Sequence, residues 1–177
     1  MIRRWTFFFG TALAGAALDV ATKSLAFSHL TPGSTTTLIP GLLHLQLATN
    51  RGIAFGLFPS GAWIWISAAA VPLIAAVFLR SKTASRLETA FGALILAGAI
   101  GNAWDRVVLG YVRDFILLPP IPNFNLADAM LNAGIAGLLV RGFLHDRRPV
   151  RDPGSAQAGQ PDDGGLRDVG RDHGPRP

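Results

Sequence analysis

The sequence contains no cysteine, which removes disulfides, thiolate nucleophiles and Cys-ligated metals and leaves the compartment open. Charge is scarce: Asp, Glu, Lys and Arg make up 15% of 177 residues, against 50% hydrophobic residues and a mean hydropathy of +0.36. An ordinary soluble domain carries more charge than this. The four histidines, His29, His44, His145 and His173, lie far apart and lack metal-ligand spacing. No serine sits in a Gly-x-Ser-x-Gly setting, and no glycine-rich phosphate loop is present. The net charge of +5 suggests nucleic acid at first sight. The basic residues instead flank long apolar runs, as membrane-topology signals do, so no nucleic-acid partner is expected.

Four apolar segments approach the roughly 20 residues needed to cross a bilayer, at about 5–27, 61–79, 87–109 and 125–144. The start, Met-Ile-Arg-Arg followed by an apolar run and Ala14-Gly15-Ala16, has elements of a cleaved signal peptide, but the run continues through Asp19 to Phe27. Arg3 and Arg4 precede the first segment, Arg80, Lys82 and Arg86 link the second to the third, and Arg141, Arg147 and Arg148 end the fourth. The remaining links hold only Arg51 and Arg113. The positive-inside rule then predicts four spans, both termini cytoplasmic, and segments 28–60 and 110–124 outside.

The stretch 35–50 is rich in Thr, Leu and Ile, has Pro40-Gly41 as a turn signal and alternates around His44, Gln46 and Ala48. These features predict a small β-element on the membrane surface, within about 34–58. The tail, 147–177, is polar and rich in Pro and Gly, too poor in apolar residues to offset its ordering entropy; disorder is expected there. Small residues, Gly98 and Gly101 on the third segment and Ala129, Ala133 and Gly137 on the fourth, predict close helix packing.

Polar residues inside spans are costly and need a reason. Asp19 and Lys23 share a helical face, as do Asn102 and Arg106. At about 1.5 Å rise per residue, Asp19 and Asn102 lie about 21 Å from the cytoplasmic end, and Lys23 and Arg106 about 27 Å. Asp128 lies about 5 Å inside the outer end of the fourth segment, and Asp114 just outside the third. These groups converge at one depth, the outer boundary. Each also has a plain structural explanation: Asn125 and Asp128 as a helix cap with its partner, Asp19 and Lys23 as an intrahelical pair, Asp105 as a local partner of Arg106. Asp114 has no obvious capping job. Two neighbouring carboxyls that share a proton suit acid–base chemistry on a water, and Asp114 and Asp128 are the pair placed where water is available.

Five boxes in order resemble the prolipoprotein signal peptidase (signal peptidase II) family: Asp19-Val20-Ala21-Thr22-Lys23; Asn50-Arg51-Gly52-Ile53-Ala54-Phe55-Gly56; Gly98 through Asn102 to Asp105-Arg106; Gly110-Tyr111-Val112-Arg113-Asp114-Phe115; and Phe124-Asn125-Leu126-Ala127-Asp128. The resemblance implies an all-α membrane protein of four transmembrane helices with a small extracytoplasmic β-sheet. It implies an aspartic endopeptidase of the bacterial cytoplasmic membrane, without metal or cofactor, that cuts prolipoproteins before a diacylglyceryl-modified Cys, with Asp114 and Asp128 as the dyad. Asn50, Asn102, Arg106 and Asn125 then shape the site and hold substrate, and Asp19 and Lys23 support it. Partners are the lipidated precursors and membrane lipid, and a monomer is expected. The segment from Asn50 to Phe58 is expected to close over the site, hinged at Gly52 and Gly56. Arg113 stands where the family usually has an aliphatic residue, and Trp104 where it has a smaller one. Adjacent side chains of a strand point to opposite faces, so Arg113 is expected to affect Asp114 little. Two other readings fit fewer residues: an ion or proton relay through Asp19, Lys23, Asp105 and Asp128, which wants polar groups through the whole depth, and an assembly subunit, which has no use for Asp114.

Overall fold

The computed structural model describes residues 2–52, 62–81 and 85–146, apart from the side chains of residues 63, 145 and 146. Most of the expected closing segment, Gly56 included, and the whole tail lie outside the described residues. The elements run α1 (Ile2–His29), β1 (Thr36–Ile39), β2 (Leu43–Asn50), α2 (Ala62–Arg80), α3 (Arg86–Leu109), β3 (Val112–Leu118), β4 (Ile121–Phe124) and α4 (Leu126–Asp146).

The helices are apolar outside and small or polar inside. On α1, Phe7, Leu13, Leu18 and Leu25 are exposed while Ala12, Ala16, Asp19 and Lys23 are buried. On α4, Leu139, Val140 and Phe143 are exposed. Water as solvent would reverse that distribution; lipid favours it, because helices in lipid associate through small residues and polar contacts. Among the described residues α1, α3 and the stretch Leu126–Leu144 of α4 are long and apolar enough to span a membrane, and α2 is a shorter apolar helix containing Pro72.

Helix α3 lies at the centre, packed against α1, α2 and α4. It starts with a capping box: Ser85 Oγ accepts from Glu88 N (3.2 Å), and Glu88 Oε2 accepts from Ser85 N (2.7 Å). It ends at Gly110, whose φ of 80° lies in the left-handed region where a Cβ is disfavoured, and there the chain turns out of the bundle into β3.

Contacts fix the helix directions. Arg4 Nε donates to Thr89 Oγ1 (3.2 Å) near the starts of α1 and α3, and Lys23 Nζ donates to Asn102 Oδ1 (3.0 Å) near their ends, so these helices run the same way. Arg141 near the end of α4 pairs with Glu88 at the start of α3 (3.6 Å), so α4 runs opposite. Phe78, near the end of α2, stacks on Phe8 with ring centroids 5.6 Å apart. Arg4, Arg80, Arg86 and Arg141 therefore belong to one end of the bundle. The apolar core of Phe8, Ala12, Ala93 and Leu96 lies towards that end.

Close packing of α3 on α4 follows the small-residue expectation, with one change of face. A Cβ on Gly98 would collide with the Ala127 carbonyl oxygen, and one on Gly101 with the Asp19 carboxylate. The packed stripe of α4 is Ala127, Met130, Gly134 and Gly137, whereas Ala133 is exposed and Ala129 only half-buried.

The other end carries an antiparallel sheet in the order β1-β2-β3-β4. The β1–β2 hairpin turns at Pro40-Gly41, as expected. Strands β3 and β4 extend it, with Ala48 opposite Asp114 and Asn50 opposite Val112. The sheet thus brings Asn50 alongside the strand that carries Asp114.

Candidate active site

Two short routes carry the candidate carboxylates to one place. Asp114 is the third residue of β3, after the turn at Gly110, and Asp128 is the third residue of α4, after the end of β4. Asn125 caps α4: its Oδ1 accepts from Asp128 N (3.0 Å), and Asp128 Oδ2 accepts from Asn125 N (3.3 Å). The cap pattern read from the sequence is therefore real, and it does not exhaust these residues. Asn125 Nδ2 also donates to Asp114 Oδ1 (2.6 Å) and to Asn102 Oδ1 (3.2 Å), and Asn102 Nδ2 donates to Asp128 Oδ1 (2.7 Å). Two asparagines thus join the two carboxylates, and Asn50 adds a side-chain hydrogen bond to Asp114.

Asp114 is 2% exposed, Asn125 is fully buried, and Asp128 is half-buried. Burial raises the Asp114 carboxyl to about 6; the Asp128 charge pushes the same way, while the Asn125 and Asn50 hydrogen bonds and the Lys23 charge oppose it. Arg106 lies within electrostatic reach of Asp128, Asp114 and Asp105, and its buried Nε has no hydrogen-bond partner. An open cavity of about 590 Å³ reaches Asp114 and is lined also by Ala48, Thr49, Asn50, Arg51, Pro122 and Asn123.

Beneath the carboxylates lies a buried charge cluster. Lys23 Nζ is 2.7 Å from Asp19 Oδ2 and 3.6 Å from Asp105 Oδ2, and all three side chains are fully buried. Asp19 Oδ1 also accepts from Ala127 N in the first turn of α4 (2.8 Å). Asp19 and Lys23 are thus an intrahelical pair that also ties α1 to α3 and α4.

Asp105 departs from expectation. Among the described residues its ion-pair partners are Lys23 and Arg113, not the adjacent Arg106. Successive helix residues project about 100° apart, so Arg106 points elsewhere. Arg113 reaches Asp105 because the turn at Gly110 folds β3 back onto the end of α3. Its side chain leaves on the side away from Asp114, as strand alternation predicts.

All eight residues singled out in the sequence thus gather in one region: Asp114, Asp128, Asn50, Asn102 and Asn125 bonded to one another, Asp19 and Lys23 beneath them, and Arg106 beside them. The part played by Arg113 was not foreseen.

Comparison with known proteins gives the family. The sequence model of the family described as Signal peptidase (SPase) II matches residues 11–144. The chain belongs to the signal peptidase II family. It is 38% identical over 164 residues to a lipoprotein signal peptidase of Gloeobacter violaceus, covering 88% of this chain and 94% of that one. It is 39% identical over 147 residues to one of Syntrophomonas wolfei, covering 82% and 98%. A bacterial membrane enzyme structure solved in meso at 2.3 Å superposes with a TM-score of 0.73 at 23% identity, over 82% of this chain and 93% of that one. A second such structure, at 1.9 Å, gives 0.70 at 26% identity, over 76% and 91%. Signal peptidase II membership makes this a bacterial membrane peptidase and directs attention to a site able to hydrolyse a peptide bond.

Proposed function

We propose that this protein is an aspartic endopeptidase that removes the signal peptide from diacylglyceryl-modified prolipoproteins, cutting before the lipidated Cys. The observation that carries this reading is the joining of Asp114 and Asp128 through Asn125 and Asn102 at the junction of sheet and bundle. A raised carboxyl beside a second one suits a pair that shares a proton. One carboxyl of the pair holds the proton and donates it to the scissile carbonyl oxygen. The other, ionised, takes a proton from the attacking water, whose oxygen bonds to the carbonyl carbon. Collapse of the tetrahedral intermediate breaks the C–N bond: the hydroxyl formed on the carbonyl oxygen returns its proton to the first carboxyl, and the second passes its proton to the departing amine of the Cys. Asn50, Asn102 and Asn125 hold the carboxylates and the peptide in register. The buried polar cluster sits at one end of the bundle and the apolar core towards the other, which favours hydrolysis there over a relay through the membrane.

The test is cleavage of a lipidated precursor by purified protein in detergent. Precursor without the diacylglyceryl group should be cut on the order of a hundredfold more slowly, because the lipid supplies remote binding energy that positions the scissile bond. Equal rates on the two precursors would point to a general signal peptidase.

The proposed topology has four spans, both termini cytoplasmic and the site at the outer face. Its support is the gathering of Arg4, Arg80, Arg86 and Arg141 at the end opposite the sheet. The 19 residues of α2 rise about 28 Å, close to the roughly 30 Å of a bilayer core. The membrane domain is taken to end near residue 146. A reporter fused after His145 should behave as cytoplasmic and one inserted near Gly33 as external; the opposite pattern would overturn the orientation.

A further inference from the structure

The strongest feature that this mechanism leaves unused is the grip of Arg113 on Asp105. Arg113 Nη2 donates to Asp105 Oδ1 (2.8 Å), while its Nε (3.2 Å) and its backbone N (3.0 Å) both donate to Asp105 Oδ2. Its Nη1 donates to Ser24 Oγ on α1 (3.1 Å). One side chain thus joins β3, α3 and α1, one residue before Asp114.

Charge balance gives the grip a purpose. Asp19, Lys23 and Asp105 are fully buried and sum to one negative charge. Arg113, with its side chain 13% exposed, brings the cluster to neutrality. With Asp105 held closely by Arg113 (2.8 Å), Lys23 keeps a longer contact to it (3.6 Å) and makes its shorter ones to Asp19 (2.7 Å) and to Asn102 Oδ1 (3.0 Å). Asn102 Oδ1 then accepts from both Lys23 and Asn125, which fixes the amide so that Nδ2 faces Asp128 Oδ1. An amide turned the other way would set two oxygens against each other.

We infer that Arg113 is a positioning residue that sets the dyad through Asp105, Lys23 and Asn102, an assignment that rests on the dyad reading above. Removing its charge draws Lys23 closer to Asp105, away from Asn102, and loosens the donor to Asp128. The groups that face Asp114 are Lys23 from α1, Arg106 from α3, Asp128 and Asn125 from α4, and Asn50 from β2; Arg113 faces away. With Arg113 replaced, one positive charge is lost from the cluster behind the dyad and Lys23 is drawn towards Asp105, so the activity–pH profile moves upward.

The experiment compares Arg113→Leu, Arg113→Lys and Arg113→Leu combined with Asp105→Asn, as rates per folded protein in detergent. Arg113→Leu should lower kcat about tenfold, leave KM within about twofold, and move the profile up by roughly half a pH unit. Arg113→Lys should keep most of the activity. The double variant removes one charge of each sign and should recover most of the kcat lost by Arg113→Leu. A mere tether predicts no such recovery, so a double variant no better than Arg113→Leu, or an unmoved profile, overturns the assignment. If Arg113→Leu does not fold, Arg113→Lys and the double variant carry the test alone. Turnover by Asp114→Asn, measured alongside, would sink the dyad reading and this assignment together. Inactive Asp114→Asn with Arg113→Leu indistinguishable from the parent would sink this assignment alone.

Discussion

Replacing either Asp114 or Asp128 by Asn should abolish turnover, a loss on the order of a thousandfold or more, and replacing both should add little. The pair acts as a unit: one member must accept a proton in the step in which the other donates. Asn is nearly isosteric, so insertion and the sheet should survive. Asp128→Asn leaves an acceptor for Asn125 N but loses the charge at the start of α4, a cost of roughly 0.3–1 kcal/mol. The two variants should separate by their response to pH. A carboxyl raised from 3.8 to about 6 in the fold contributes stability that is full below the unfolded value and is lost as pH rises through about 6. Asp114→Asn escapes that loss and should melt higher than the parent at pH 8, by an effect on the order of 2–3 kcal/mol, with no such gain at pH 4. Cleavage rate per folded protein and thermal unfolding in detergent check both halves. Substantial turnover in either single variant would remove that residue from the chemistry.

The largest expected effect on folding belongs to Lys23. It is fully buried between Asp19 and Asp105, also fully buried, and Lys23→Met leaves two carboxylates with Arg113 as their one remaining ion-pair partner among the described residues. Breaking a buried pair by removing one partner costs about 3–5 kcal/mol, because the remaining charge stays out of water. Little folded protein should accumulate. Adding Asp19→Asn should recover part of the loss, because the uncompensated charge is gone while an oxygen remains for Ala127 N. The melting temperature of the purified protein decides the matter: a single variant as stable as the parent would mean that the cluster is not held together by charge.

The apolar helices and the β1–β2 hairpin were legible because each is written in a local pattern: apolar length, flanking arginines, alternation about Pro40-Gly41. The depth at which the polar residues meet was legible for the same reason, since a helix converts residue count into distance. What was not legible is non-local. Strand β3 pairs with β2 across α2 and α3, and nothing between Val112 and Leu118 alternates clearly enough to announce it. Asp105 was assigned to its neighbour Arg106, whereas Arg113 takes it, because a left-handed turn at Gly110 returns the chain. The stripe of α4 was read one face off: Ala129 and Ala133 have the right size, but Ala127 and Gly134 have the right direction. Residue size is visible in a sequence, whereas helix rotation is set by partners such as the Asp19 carboxylate on Ala127 N.

The start of α4 has a consequence for how the site keeps its shape over time. The first amides of a helix ordinarily lack partners and exchange their hydrogens with water readily. Here Ala127 N is bonded to Asp19 Oδ1 and Asp128 N to Asn125 Oδ1, so both are held by side chains of the polar cluster itself. These amides can exchange only when that cluster comes apart. Their deuterium uptake is thus a clock for the opening of the site: it should be slow in the resting protein, at a helix end where fast fraying is the rule, and quick when Asn125 is replaced by Ala.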